Sequence, residues 1–308
     1  MTLLSRHLLP ILADKARKAF EPRLDPARAE RVYREFGERR GYDAWHAYCR
    51  TCLRRPVPDN ADATLLEQGF ERVRAMSAAA AQDVIRRFVD GGTERYLKRD
   101  SRKLRGYRVG DDGDVTELLA RALGGEVDAL ALRCFGAEYL VLWFTLSSTP
   151  PGAPLSVSFR WHCDKGPRDH LKLLVYLNDG AEHGGGTAFI DRADTAAVRP
   201  SGYLFGRGRR RIGDLDELAR LAGRPLREHA LSPPAGGGVL FQPGQVLHRG
   251  IAPVTGPRYV LTLCLLPSPV DWRRARAAGA VTDLAADPLW PPHADLLRHR
   301  IAAGREIR

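Results

Sequence analysis

His162, Cys163 and Asp164 close an extended apolar run, "SVSFRWHCD", and set one of the chain's nine histidines two residues from a carboxylate. In a β-strand, residues two apart point the same way, so this spacing presents an imidazole and a carboxylate together and turns Cys163 to the other side. Alone, the pattern is also what an ordinary polar strand end looks like. A third group changes the balance. His248 follows eighty-four residues after Asp164, within "GGGVLFQPGQVLHRGIAPVTGPRYVLTLCLL", just past one apolar strand, and Arg258 opens the next strand ten residues later.

Two imidazoles and one carboxylate form the facial triad of non-heme iron(II) sites, which holds one face of an octahedral ion and leaves the others open. An arginine on the following strand has the planar, fixed fork that pairs bidentately with a carboxylate, which suits the far end of a dicarboxylate co-substrate bound to such an ion.

The strand "LKLLVYLN" adds to this set. Alternation puts Lys172, Leu174, Tyr176 and Asn178 on one face and Leu171, Leu173, Val175 and Leu177 on the other. With Tyr176 facing inward, Lys172 faces inward too, and a lysine there is costly unless it meets an anion. That anion is the co-substrate, the neighbourhood of Asp164 or an acidic group on the main substrate; the alternative is a strand-end lysine reaching solvent. The loop "KGPRD" directly after Asp164 must border the site, which makes Arg168 and His170 candidates for substrate contact.

These residues resemble those of the iron(II)- and 2-oxoglutarate-dependent dioxygenase superfamily, over about residues 139–267. The likeness is carried by "WHCD", "LKLLVYLNDGAEHGGGTAFI" and "LHRGIAPVTGPRYVLTL", and looks like the prolyl-hydroxylase and phytanoyl-CoA-hydroxylase members. The resemblance implies an α+β fold with a double-stranded β-helix core, jelly-roll and cupin-like, flanked by N- and C-terminal helices. It implies that His162, Asp164 and His248 hold Fe(II) and that Arg258 binds the 5-carboxylate of 2-oxoglutarate. Tyr176 and Thr187, the Thr of "GGGTAF", would be further contacts to that carboxylate, with Lys172 near them. O2 is the other co-substrate. The implied reaction couples oxidative decarboxylation of 2-oxoglutarate, to succinate and CO2, with hydroxylation of a small molecule, which the positive charge suggests is anionic. Hydroxylation of a protein or RNA is the alternative, and a non-catalytic nucleic-acid-binding protein a further one. Asp164 argues against halogenation, because related halogenases replace this carboxylate.

The elements that must position these residues are legible in the pattern. Residues 1–125 read as a mainly helical region, from "DPARAERVYREFGERR", "DAWHAYCRTCLRR", "ATLLEQGFERVRAMSAAAAQDVIRRFVDGG" and "DVTELLARALGG". Residues 126–270 read as the β core, with strands at "YLVLWFTLS", "LSVSFRWHC", "LKLLVYLN", "GTAFI", "GYLFG", "REHALS", "GVLFQ" and "RYVLTLCLL" and a helical insertion at about 206–225. Residues 271–308 read as a helical extension.

Composition limits the rest. The chain has 308 residues, 44% of them hydrophobic, which supports a sizeable core. No run is long and apolar enough for a membrane span, and "MTLLSRHLLPILADKARKAF" reads as an amphipathic helix, not an export signal. The five cysteines, an odd number, fit a reducing cytoplasm. Cys49-Arg50-Thr51-Cys52 lacks the second pair a zinc site needs, so His46, Cys49 and Cys52 read as residues of one helix. The net charge of +11 comes almost wholly from arginine in a chain rich in Ala, Gly and Pro, and the cluster "GRGRRRIGD" reads as a solvated loop.

Overall fold

The computed structural model describes residues 42–57, 64–92, 94–96, 105–152, 157–164, 169–204 and 211–277. These form helices around two antiparallel sheets. Before the long central strand come helix α1 (Tyr42–Cys52), the short α2 (Thr64–Gln68), strand β1 (Phe70–Arg74) and α3 (Ala78–Val84), which runs on as a π-turn over Ile85–Asp90. Strands β2 (Glu94–Tyr96) and β3 (Arg105–Tyr107) and helices α4 (Asp112–Ala122) and α5 (Gly125–Phe135) follow. The remaining elements are β4 (Glu138–Thr149), β5 (Leu171–Tyr176), α6 (Gly180–His183), β6 (Gly186–Phe189), α7 (Arg192–Val198), α8 (Leu215–Ala222), β7 (His229–Leu231), β8 (Gly237–Phe241), β9 (His248–Ile251), β10 (Arg258–Ser268) and α9 (Trp272–Ala277).

The helices start where their side chains can satisfy exposed backbone N–H groups. Asp111 and Asp114 form a reciprocal capping box on α4, Ser77 accepts from Ala80 on α3, and Asp214 accepts from the Asp216 N–H on α8. The stop at Gly91-Gly92 and the helix after the arginine cluster lie where the pattern places them.

The larger sheet has the order β1-β8-β5-β10-β4-β3-β2, and the smaller one β7-β6-β9. Strand alternation assigns the two faces of the large sheet. Leu171, Leu173 and Val175 of β5, with Leu261 and Leu263 of β10 and Phe144 and Leu146 of β4, pack outward against α3, α4 and α5 in the main core. Each such buried side chain contributes about 1.5–3 kcal/mol. The opposite face turns to the small sheet, where Phe70, Val239 and Phe241 meet Phe189 and Leu231. The rings of Phe189 and Phe241 are 5.1 Å apart, edge to face, so the two sheets are joined across a shared interior.

Four local expectations give way. "ATLLEQGFERVRAMSAAAAQDVIRRFVDGG" is not one helix: Gly69 takes φ +86°, the chain turns, and Phe70–Arg74 pairs with β8 in the large sheet. Strands β2 and β3 likewise extend that sheet from within the region expected to be helical. "LSVSFRWHC" is not a regular strand over its described residues 157–163: Val157–Phe159 is a 3-10 turn, and pairing there is limited to a single bridge from His162 to His248. "GYLFG" forms no strand over its described residues 202–204. Conversely α5 and β9 are elements the pattern left unmarked. Among the described residues no helix is long and apolar enough to cross a membrane.

Candidate metal and co-substrate site

His162 and His248 are brought together by backbone. Each donates its N–H to the other's carbonyl, at 3.1 and 3.0 Å, and their rings lie 4.4 Å apart. The flanking residues pin both segments: Trp161 N–H donates to Ile212, Cys163 N–H to Leu204 and Ile190 N–H to Leu247. The Thr195 hydroxyl links α7 to the same place, accepting from Leu247 N–H at 3.0 Å. Asp164 is held by its own N–H, which donates to Pro243 at 2.7 Å on the turn before β9. Cys163 points away into an apolar cluster with Trp161, Ile190, Val198, Leu218 and Leu247, as the alternation requires.

The side chains then converge. His162 Nε2 lies 3.6 Å from one oxygen of Asp164, and His248 Nε2 lies 3.6 Å from the other. One candidate ligand atom from each residue falls within 4.8 Å of the other two; among the described residues this is the group of His, Cys, Asp or Glu so arranged. Ligands in adjacent positions on an ion with ~2.1 Å bonds stand about 3 Å apart, so small side-chain movements close the triad. The ring nitrogens are also set correctly. Nδ1 of His162 contacts the Arg160 carbonyl at 2.7 Å and Nδ1 of His248 the Val246 carbonyl at 3.1 Å. A carbonyl only accepts, so Nδ1 carries the proton in each ring and the Nε2 lone pair faces the shared space. Burial, and then the neighbouring His248, hold the His162 imidazole well below its ordinary value and keep it neutral. The donor set thus fits a divalent ion of the kind bound by two imidazoles and a carboxylate.

A second group gathers where Arg258 begins β10. Tyr176, fully buried on β5, shares a 2.6 Å hydrogen bond with the Thr187 hydroxyl of β6. Arg258 Nη1 donates to the carbonyls of Gly186 and Ile251, but its buried Nε has no partner, and no carboxylate pairs with it among the described residues. Burial lowers this guanidinium from its ordinary value, against the opposing influence of Tyr176. The glycine run before Thr187 has a steric reason. Gly184 caps α6 at φ +68°, and a Cβ on Gly186 would stand 2.3 Å from the Leu231 carbonyl.

The chain is similar in structure to several 2-oxoglutarate-dependent enzymes. No family model matches the sequence, and no curated protein sequence does. The non-heme α-ketoglutarate-dependent carbocyclase SnoK from nogalamycin biosynthesis is 15% identical, with a TM-score of 0.43 over 68% of this chain and 84% of that one. HygX from Streptomyces hygroscopicus, with nickel, 2-oxoglutarate and hygromycin B bound, is 14% identical, with a TM-score of 0.45 over 68% and 87% of the two chains. EctD from S. alaskensis with bound Fe is 17% identical, with a TM-score of 0.45 over 69% and 77%.

Lys172 faces the interior with Leu174 and Tyr176, and its anion is Asp164: Nζ makes a short ion pair with Oδ2. Burial pushes the Asp164 carboxyl up, but the Lys172 ammonium beside it outweighs burial and holds it well below the usual carboxylate range. His170 is buried immediately before β5, and Arg168 lies outside the described residues. His46, Cys49 and Cys52 lie on α1: Cys49 is buried in the main core, and His46 Nε2 contacts the Phe135 carbonyl at 2.7 Å. Trp143 and Arg211 were not singled out from the sequence. Trp143 sits on an apolar strand with nothing local to mark its indole, and Arg211 is one arginine of a run; strand register and chain return bring them near the triad.

Proposed function

We propose that this protein is a non-heme iron(II) oxygenase that uses 2-oxoglutarate and O2, with its β core folded as a double-stranded β-helix. The observation that carries the reading is the pairing of two features on one interior: a His162–Asp164–His248 triad with both Nε2 atoms aimed at Asp164, and a guanidinium, Arg258, with no carboxylate partner among the described residues. A bound iron would supply oxidative decarboxylation of 2-oxoglutarate to succinate and CO2, coupled to oxidation of a substrate C–H bond.

The chain's own residues divide the rest of the work. His162 and His248, each held in one tautomer by a backbone carbonyl, offer neutral nitrogens, and Asp164 offers an ionised oxygen. Arg258 completes its donor count by pairing with the far carboxylate of 2-oxoglutarate, and the Tyr176–Thr187 hydroxyl pair orients that end of the molecule. Phe241 and Phe189, edge and face to His248 at 5.0 and 6.4 Å, keep water from the ligand's back. The main substrate is a small molecule that enters beside Lys172, and hydroxylation is its outcome. The arginine excess does not require nucleic acid, since Arg55, Arg87, Arg121, Arg224, Arg249 and Arg276 are engaged in ion pairs within the chain.

Anaerobic addition of iron(II) and 2-oxoglutarate should give a weak visible charge-transfer band, and succinate should form when oxygen is admitted. The absence of both band and succinate would refute the reading.

A further inference from the structure

We propose that the main substrate carries an oxyanion, a carboxylate or phosphate, and that Lys172 Nζ, Trp143 Nε1 and Thr145 Oγ1 receive it beside the metal ligands. This rests on the reading of the site as an iron(II) and 2-oxoglutarate centre and names the substrate class for it.

Three observations point the same way. The first is register. Trp143 on β4 pairs with Cys264 on β10, and Cys264 pairs with Lys172 on β5, so the three lie in one row across the interior face of the large sheet. Lys172 leans along that row: its ammonium lies 5.4 Å from the centre of the Trp143 ring while it also pairs with Asp164. Thr145 is the next inward residue of β4, opposite Thr262.

The second is unsatisfied donor capacity. Trp143 and Thr145 are each only 7% exposed, yet the indole Nε1 and the Thr145 hydroxyl have no hydrogen-bond partner among the described residues. A buried, unpaired polar group costs on the order of 1–3 kcal/mol, so two of them on one strand face are tolerated where a ligand completes them. An indole N–H only donates and an ammonium only donates, which selects a ligand group that accepts. Solvent reaches this row: Lys172, Leu174 and Thr262 are partly exposed, whereas the outward-facing Leu173 and Leu263 beside them are fully buried.

The third is charge. A divalent ion, the Asp164 carboxylate, a dicarboxylate co-substrate and the Arg258 guanidinium sum to zero. Lys172 remains, and Arg211 interacts electrostatically with both Asp164 and His162. The loaded site is therefore cationic at the row that holds the open donors, and a neutral or cationic substrate would leave that charge uncompensated.

The test uses the full chain loaded with manganese(II), which binds such a site without turning over, and saturated with 2-oxoglutarate. Manganese and 2-oxoglutarate are titrated first by calorimetry; if they fail to bind, the iron reading falls and this proposal with it. Sodium acetate and sodium sulfate are then titrated as probes, followed by calorimetry and tryptophan fluorescence. We expect saturable binding that weakens about tenfold or more in Lys172→Met and about threefold to tenfold in Trp143→Phe, which keeps an aromatic ring but removes the N–H donor together with part of the indole, while Lys172→Arg retains it. The 2-oxoglutarate affinity of Trp143→Phe should stay within about twofold of the unaltered protein. Three results would overturn the proposal. They are an anion that fails to saturate with 2-oxoglutarate bound; unchanged binding in both variants, which places the anion on the metal; and a loss of 2-oxoglutarate affinity in Trp143→Phe as large as that for the probe, which assigns these donors to the co-substrate.

Discussion

Replacing Arg258 by Met should separate co-substrate binding from metal binding. In the protein as it stands the guanidinium donates through Nη1 to the carbonyls of Gly186 and Ile251, its Nε is unpartnered and no described carboxylate neutralises it. Its desolvation has thus already been incurred before any ligand arrives, and a carboxylate placed against it gains most of the attraction. A hydrogen bond to a charged group is worth about 1.5–3 kcal/mol, and two opposite charges 4 Å apart at an effective dielectric near 20 attract by about 4 kcal/mol. Allowing for the solvent that still reaches a half-buried Arg258, a loss of about 2–3 kcal/mol is expected, which is about thirtyfold to 150-fold in the Kd for 2-oxoglutarate. Folding stability should change by only about 1 kcal/mol, because losing bonds to two carbonyls is offset by removing a buried, uncompensated charge. Calorimetric titration of the manganese(II)-loaded protein with 2-oxoglutarate, beside a titration with manganese alone, reads both quantities. A Kd change under about threefold, or an equal loss of manganese affinity, would mean that Arg258 supports the fold and not the co-substrate.

Other expectations follow from packing and charge. Gly186→Ala should destabilise the protein by about 1–3 kcal/mol in chemical denaturation, since its Cβ has the Leu231 carbonyl 2.3 Å away; an unchanged midpoint would mean that β6 and β7 are not so closely paired. Burial pushes the thiol of Cys264 up to about 12 and that of Cys163 higher still, so in the native protein at pH 8 both should resist alkylation until the chain unfolds. Rapid native labelling of Cys163, read by peptide mass, would contradict its packing behind the triad. Hydrogen bonds from Arg121 and Arg86 hold the Asp83 carboxyl below its ordinary value against burial, and those from Arg87 and Arg121 do the same for Glu117. A depressed carboxyl stabilises the fold above its unfolded value, near pH 4, and that contribution is lost as pH falls through the folded value. The difference in Tm between the unaltered protein and Arg121→Met should therefore hold steady above about pH 5 and shrink on further acidification; a difference independent of pH would show that Arg121 acts by packing alone.

The sequence carried the site better than it carried the strands that build it. His162, Asp164, Lys172 and Tyr176 could be placed on common faces because a two-residue period is a local property, and the sheet register keeps Lys172 and Tyr176 on the interior face while Leu171, Leu173 and Val175 enter the core. Thr187 could be matched but its contact with Tyr176 could not, since a 2.6 Å bond between β5 and β6 depends on how two sheets approach. The misread segments share a cause. Phe70–Arg74 has helical neighbours on both sides and becomes a strand only because the edge of β8 is open to it, and "LSVSFRWHC" has strand composition but no partner strand along most of its length.

The same contrast explains why the candidate metal ligands could be singled out from the sequence and the donors around the open row could not. A ligand set is recognised by residue type, because few side chains offer a nitrogen or carboxylate lone pair and fewer still recur at a strand's spacing. Trp143 and Thr145 give no such signal: in "YLVLWFTLS" an indole and a hydroxyl look like strand filling, and their role depends on what fails to bond them. That absence is visible only once every neighbouring acceptor has been placed. Lys172 stands between the two cases. Its cost inside a sheet was clear from alternation, and the structure supplies Asp164 as its partner, yet an ion on Asp164 would compete for that same carboxylate. A cation retained where it must share its counter-ion with a metal is more useful to an incoming anion than to the fold, and so Lys172 connects the centre that can be read from the sequence to a substrate that cannot.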